Sequence, residues 1–357
     1  MTDNPSTLRL LQPQELQPAV DLTTRILADL DAVLLGQQEL HRLVLAGVLS
    51  RGHILLEGMP GVGKTVLIKT LGQIMSLSFN RVQFTPDLMP SDILGTTILQ
   101  QSGDGQRRMV FQPGPIFTNI LLADEINRAS PKTQAAMLEA MQERRVTVGG
   151  ETRPLSDPFF VLASQNPIDL EGTYPLPEAQ VDRFLFKLHV QQPDVDVLET
   201  ILDTRRRGEA VTPQSFVSEE QLRGLFGVME RIVLPSPVAR YIARLVAASH
   251  PSGAEQPGAE VPDVVKQYVT HGASPRAAIA MAESARAVAL LAGRPTVGFE
   301  DVDTVAPHVL NHRLILSYPA RFDKVTAHDV VRGLIDAIDE AELNLPAGMR
   351  VEQGAAE

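Results

Sequence analysis

The octapeptide GMPGVGKT, Gly58 to Thr65, limits what this chain can fold into more than any other stretch of it. It follows a short apolar run, His53 to Leu56, and opens a segment, Lys64 to Met75, in which Leu67, Ile68, Leu71 and Met75 recur at helical spacing. It fits GxxxxGKT at Gly58, Gly63, Lys64 and Thr65, with strand, loop and helix in the order that such a loop requires. Glycines permit a tight bend that turns successive backbone N–H groups inward, and the helix N-terminus adds partial positive charge. The segment Gly58, Met59, Pro60, Gly61, Val62, Gly63, Lys64, Thr65 and Val66 is therefore expected to cradle a polyphosphate. Lys64 would reach its β- and γ-phosphates, and the Thr65 hydroxyl would take a place on Mg²⁺. ATP and Mg²⁺ are the implied cofactors.

A second apolar run, Asn119 to Ala123, ends in two adjacent carboxylates, Asp124 and Glu125. Like charges side by side at a strand tip need a cation, and parallel strands end at the face where α/β sheets bind ligands. Asp124 suits the outer shell of Mg²⁺, and Glu125 suits a general base that polarises the attacking water. Strand alternation is expected to aim the two in different directions. A third run, Phe159 to Ser164, delivers Gln165 and Asn166 to the same edge, where an uncharged amide can orient water.

Composition bounds the rest. At 357 residues and 44% hydrophobic content there is material for two domains, and no apolar run approaches the roughly 20 residues that a membrane span needs. The N-terminus lacks the pattern of a secretion signal, so a cytoplasmic location is expected. With no cysteine, disulfides and thiolate chemistry are excluded. A formal charge of −11 argues against general nucleic-acid binding. His308 and His312 lie four apart, where packing or solvent explains them better than a metal.

The phrases RVQFTPDLMPSDILG, FQPGPIFTNILLADEINRASPKTQAAMLEAMQERRVTVGG, FFVLASQNP and EGTYPLPEAQVDRFLF resemble the MoxR family of AAA+ ATPases from about Gly36 to Leu188. HGASPRAAIAM continues the likeness further on; Ser164 stands where the family commonly has Thr. The resemblance implies an α/β core with a parallel five-stranded sheet and two β-hairpin insertions over residues 1–192, an all-α lid over 193–342 and a disordered tail over 343–357. It implies that Asn166 is the sensor that positions water, that Arg183 is an arginine finger on a neighbouring subunit's nucleotide, and that Arg276 is a second sensor closing the lid over the phosphates. Both arginines suit the task, because a permanently charged planar guanidinium stabilises spreading phosphoryl charge. Gly36 and Gln37 resemble the family's segment near the adenine. A homo-oligomeric ring, most simply a hexamer, a von Willebrand factor A domain partner and a client protein complex to be remodelled or loaded with metal cofactor are further implications. The competing readings are an ATP-dependent binding switch with little turnover and a nucleic-acid motor.

Ser130-Pro131 marks a helix start, Gly149-Gly150 a hairpin turn, and Gly103 to Gly105 a second one. Arg107, Arg108, Arg144 and Arg145 on these hairpins either touch a client or are simply solvated. From Asp194 onward six helical patterns follow, interrupted by a loop at Pro251 to Asp263.

Overall fold

Strand and helix alternate from residue 54 to residue 189, which is the pattern that forces parallel pairing through crossovers. The computed structural model describes residues 10–59, 61–101, 107–166, 172–205, 212–214, 216–251 and 261–338. Pro60, the turn at Gly103 to Gly105, most of the Pro251 to Asp263 loop and the 343–357 tail lie outside the described residues. Five parallel strands, β1 (Ile54–Glu57), β2 (Phe79–Gln83), β3 (Ile120–Asp124), β4 (Phe160–Gln165) and β5 (Phe186–His189), lie in the order β5-β1-β4-β3-β2. Each of the three strands expected from apolar runs is present, shifted one residue toward the C-terminus.

The helices of ten residues or more are α1 (Pro13–Val33), α2 (Gln38–Leu49), α3 (Lys64–Ile74), α4 (Pro131–Glu143), α5 (Val195–Thr204), α6 (Glu219–Arg231), α7 (Ser236–Ala248), α8 (Pro275–Leu291), α9 (Phe299–Leu310) and α10 (Ala327–Ala337). The period-two alternation of the strands divides the core in two. Ile54, Leu56, Ile120, Leu122, Phe160 and Leu162 pack on the side of α1, α2, α3 and the lid, while Leu55, Leu121, Ala123, Val161 and Ala163 face Met137, Leu138 and Met141 of α4. Each such side chain contributes about 1.5–3 kcal/mol by leaving water.

Pro131 opens α4, and the Ser130 hydroxyl accepts the Thr133 N–H at 3.4 Å. Ser218 caps α6 through a reciprocal box with Gln221. One antiparallel hairpin pairs Gly95–Gln101 with Arg107–Pro113, and the other pairs Arg145–Val148 with Glu151–Pro154 across Gly149-Gly150, both at positive φ. The lid's six helical patterns are present as α5 to α10, and it also carries a short two-stranded ladder between Val269–His271 and Ile315–Leu316.

Lid and N-terminal helices share a single hydrophobic cluster. Buried Ala277, Ala280, Ala285, Ala287 and Ala289 keep α8 thin enough to lie close on its neighbours, and Ser50 at the end of α2 donates to the Glu283 carbonyl at 3.2 Å. Among the described residues no helix is long and apolar enough to cross a membrane.

Candidate active site

At the carboxyl end of β1 the chain turns through Gly61 (φ 84°) and Gly63 (φ 91°), left-handed positions that a side chain would strain, into α3. A Cβ at Gly58 would stand 2.8 Å from the Val190 carbonyl oxygen, so the loop presses on the chain leaving β5. Lys64 Nζ donates to the Gly58 carbonyl at 2.6 Å, folded back over the loop. Burial holds its ammonium below the ordinary range, against the pull of Asp124, Glu125 and Glu57, which favours the charged form.

β3 sits two strands from β1, with β4 between, and brings the acids to the same edge. Asp124 is the last strand residue; Glu125 is the first beyond it, in a left-handed conformation (φ 57°, ψ 48°). Strand alternation is therefore not what separates the two carboxylates: the backbone turn at Glu125 does. The Ser164 hydroxyl links them, donating to Asp124 Oδ1 at 2.5 Å and accepting the Glu125 N–H at 3.0 Å. From β2, Arg81 forks onto Asp124 Oδ2 at 2.7 and 3.2 Å. Gln83 Nε2 donates to Glu125 Oε2 at 2.7 Å, and Arg128 Nη1 does so at 3.0 Å. Gln165 donates to Glu57 Oε1 at 2.7 Å, and Lys187 pairs with Glu57 Oε2 at 3.1 Å. Asn166 is buried at the end of β4, its carbonyl facing the Asn127 amide at 3.5 Å.

Gly36 (φ 74°) and Gln37 join α1 to α2 on this side of the sheet, where Gln37 Nε2 donates to the Gln191 carbonyl at 2.9 Å and Leu34 abuts Gly63. Gly58 to Val66, Asp124, Glu125 and Asn166, with Gly36 and Gln37 alongside, thus share the carboxyl edge, Pro60 apart. The glycine-rich loop, the lysine, and the hydroxyl and carboxylate oxygens of Thr65 and Asp124 fit a nucleoside polyphosphate with a hard divalent cation.

The two remaining arginines are elsewhere. Arg183 precedes β5 and Arg276 opens α8, and both line a cleft of about 300 Å³ with Arg51 and His53, which precede β1. This cleft lies at the amino ends of β1 and β5, whereas the P-loop lies at their carboxyl ends, roughly 16 Å along the strand from His53 to Gly58. Arg276, expected to close the lid over the phosphates, pairs here with Asp182 at 3.3 Å, next to Arg183. Arg313, which the sequence reading did not single out, holds this corner together. Almost wholly buried, it donates to Asp182 Oδ1 at 2.8 Å and to the carbonyls of Phe184 at 2.7 Å and Val309 at 2.6 Å. Burial pushes its guanidinium down from the ordinary value, and Asp182 opposes that shift. His53 bridges β1 to the other face, Nδ1 accepting the Val161 N–H at 3.0 Å and Nε2 donating to the Met141 carbonyl at 3.2 Å. Burial lowers this imidazole to about 4.

Comparison with known proteins agrees with this geometry. Residues 53–186 match the family model described as "ATPase family associated with various cellular activities (AAA)", and residues 262–334 match the AAA lid domain. The chain is 42% identical to Chaperone MoxR1 of Mycobacterium tuberculosis over 90% of its own length and 82% of that protein's. It belongs to the MoxR family of AAA+ ATPases. A second MoxR protein, from Paracoccus denitrificans, is 32% identical over 87% of this chain and 92% of the relative. A solved structure from Cytophaga hutchinsonii, described as a candidate ATPase, superposes with a TM-score of 0.80 at 36% identity, covering 91% of this chain and 97% of that one. This MoxR-family chain is an ATPase, and its two matched segments carry the P-loop edge and Arg276 respectively.

Proposed function

We propose that this MoxR-family ATPase hydrolyses ATP with Mg²⁺ in a head-to-tail ring, each nucleotide lying between the P-loop edge of one copy and the arginine edge of the next. The observation that carries the reading is the separation of the two edges: Lys64 and Glu125 stand at the carboxyl ends of the strands, Arg183 and Arg276 at the amino ends. A guanidinium on one edge reaches phosphates on the other only in a second copy. Within one chain, Lys64 and the P-loop amides hold the β- and γ-phosphates, and Thr65 and Asp124 hold the cation. When bound, that cation offsets charge on the phosphate oxygens. Glu125 polarises the attacking water, which Asn166 positions, and Gly36 and Gln37 border the base. The neighbour's Arg183 and Arg276 cover charge spreading onto the γ-phosphoryl oxygens.

A closed ring follows from a heterologous contact that returns on itself, and six copies is the proposed number. Opening and closing of the nucleotide seam moves each lid with its neighbour. We propose that this cytoplasmic machine spends the motion on remodelling a client protein complex, metal-cofactor insertion among its tasks, with a von Willebrand factor A domain protein as partner. Titrating Arg183→Ala subunits into wild type at constant total protein, after subunit exchange, tests the arrangement. Shared sites give ATPase rates that depart from the straight dilution line; a linear fall with exchange confirmed means that each chain hydrolyses alone, and the ring mechanism is then wrong.

A further inference from the structure

The arginine cleft holds more cations than the two roles above use. Five arginines, Arg51, Arg144, Arg183, Arg276 and Arg313, line it against two carboxylates, Asp182 and Glu283, in a chain whose formal charge is −11. Asp182 is engaged by Arg313 and Arg276, and Glu283 by Arg286. Arg51 lies over the Phe226 ring, 4.5 Å from its centre, with Asp157 at 3.8 Å. Two arginines remain. Arg183 has a buried Nε without a hydrogen-bond partner. Arg144 pairs with no carboxylate among the described residues, and its Nη2 makes only a long 3.5 Å contact with the Arg51 carbonyl.

The backbone sets Arg144 apart from the residue beside it. Arg145 begins the second hairpin and pairs with Glu143 at 3.1 Å, so it is neutralised locally. Arg144 ends α4 in a left-handed conformation (φ 51°), a place where glycine or asparagine is the ordinary choice. That turn places its side chain on the cleft, near enough to His53 for its charge to depress that imidazole. Arg144 is exposed to solvent in the single chain, and its left-handed turn and place on the cleft beside Arg183 set its guanidinium where an anion entering the cleft meets both.

We propose that Arg144 is a further phosphate-binding residue of this ATPase, receiving with Arg183 the terminal phosphoryl group of a nucleotide held in the P-loop of a second copy of the chain. The proposal rests on the head-to-tail reading above. One guanidinium fork covers two phosphoryl oxygens, and a second fork from a different direction covers the third, where charge also accumulates.

The test uses the full chain and two variants. Arg144→Asn keeps the left-handed cap and removes the guanidinium; Arg144→Lys keeps a charge without the fork. Arg144→Asn is expected to melt no lower than wild type, to sediment as wild type does with ATP, to bind a fluorescent ATP analogue with unchanged Kd, and to lose about 100-fold in kcat. Arg144→Lys recovers part of that loss. Mixed with Lys64→Ala, which is itself inactive but presents an intact arginine edge, Arg144→Asn is expected to regain turnover that neither has alone. Turnover of Arg144→Asn within twofold of wild type overturns the proposal, and so does loss of assembly, which makes Arg144 an interface strut. If Arg183→Ala is rescued by Lys64→Ala and Arg144→Asn is not, Arg144 acts inside its own chain and only this proposal falls. If neither is rescued, the head-to-tail reading fails and Arg144 goes with it.

Discussion

The two edges of the parallel sheet differ in how their charges are satisfied. At the carboxyl edge the acids are already held: Asp124 by Arg81 and Ser164, Glu125 by Gln83 and Arg128, Glu57 by Gln165 and Lys187. At the amino edge Arg313 is fully engaged, yet Arg183 and Arg144 are left over. Arg183 is half-buried with its Nε unpartnered, which costs free energy unless something arrives to meet it, whereas Arg144 beside the cleft is exposed to water. The acids of the first edge are satisfied within the chain, whereas at the second Arg183 and Arg144 have no carboxylate partner among the described residues. In the proposed head-to-tail arrangement, the contrast means that half of the catalytic centre is written as surplus charge.

Removing the surplus should show most strongly in turnover. Arg183→Ala is expected to lower kcat by about 10³-fold or more, the order associated with an arginine finger, while the affinity for ATP of the same chain stays put. Weakened ATP binding in the isolated chain would instead place Arg183 at its own nucleotide and erase the distinction between the edges. Glu125→Gln, on the other edge, should cost about 10² to 10³ in kcat with ATP still bound, and rapid-quench turnover beside a binding titration separates the two effects.

Arg313→Ala tests whether the neighbour of Arg183 is structural. It strands Asp182 and the Phe184 and Val309 carbonyls, and should lower stability by about 3–5 kcal/mol in a denaturant titration. A stable, inactive Arg313→Ala would move it into the phosphate-binding group. His53 gives a pH signature of similar size. Folding favours its neutral imidazole, with a value of about 4 against the ordinary 6.5. Its contribution is therefore complete above pH 6.5 and is lost as pH falls from 6.5 toward 4, where the unfolded chain takes up a proton that the folded chain refuses. The loss is about 3 kcal/mol and levels off below that window. Melting scans across pH should show a shallower acid slope for His53→Gln.

The smallest expected effect is on the carboxyl edge. Gln83→Ala removes one of the two hydrogen bonds on Glu125 Oε2 and leaves that from Arg128, and basal ATPase should rise about fivefold if the lost bond restrains the base. An unchanged rate would mean that Arg128 alone fixes Glu125.

Much of the carboxyl edge was legible because its signals are local. Gly58 to Thr65 and the Asp124-Glu125 pair each carry their meaning within a few residues, and their strand contexts fix the edge. The residues that hold them were not legible: Ser164 lies 40 residues from Asp124 and Arg81 lies 43 from it, separations at which no spacing rule operates. Helix α1 escaped because Pro18 sits inside it and reads as a breaker. The phrase around Arg276 told its residue type and its likeness to a sensor, but which edge it occupies depends on how α8 lies on α2. Arg313 gave no sequence signal at all, since its value comes from carbonyls gathered from two separate segments.

Glu125 stands in a backbone conformation that costs an ordinary side chain about 1–2 kcal/mol, and glycine or asparagine at that place would relieve it. A chain selected only to survive heating would discard the glutamate. With the proposed base at this place, thermal endurance and turnover pull in opposite directions, so Glu125→Gly should yield a protein that outlasts its parent on warming and turns over far more slowly.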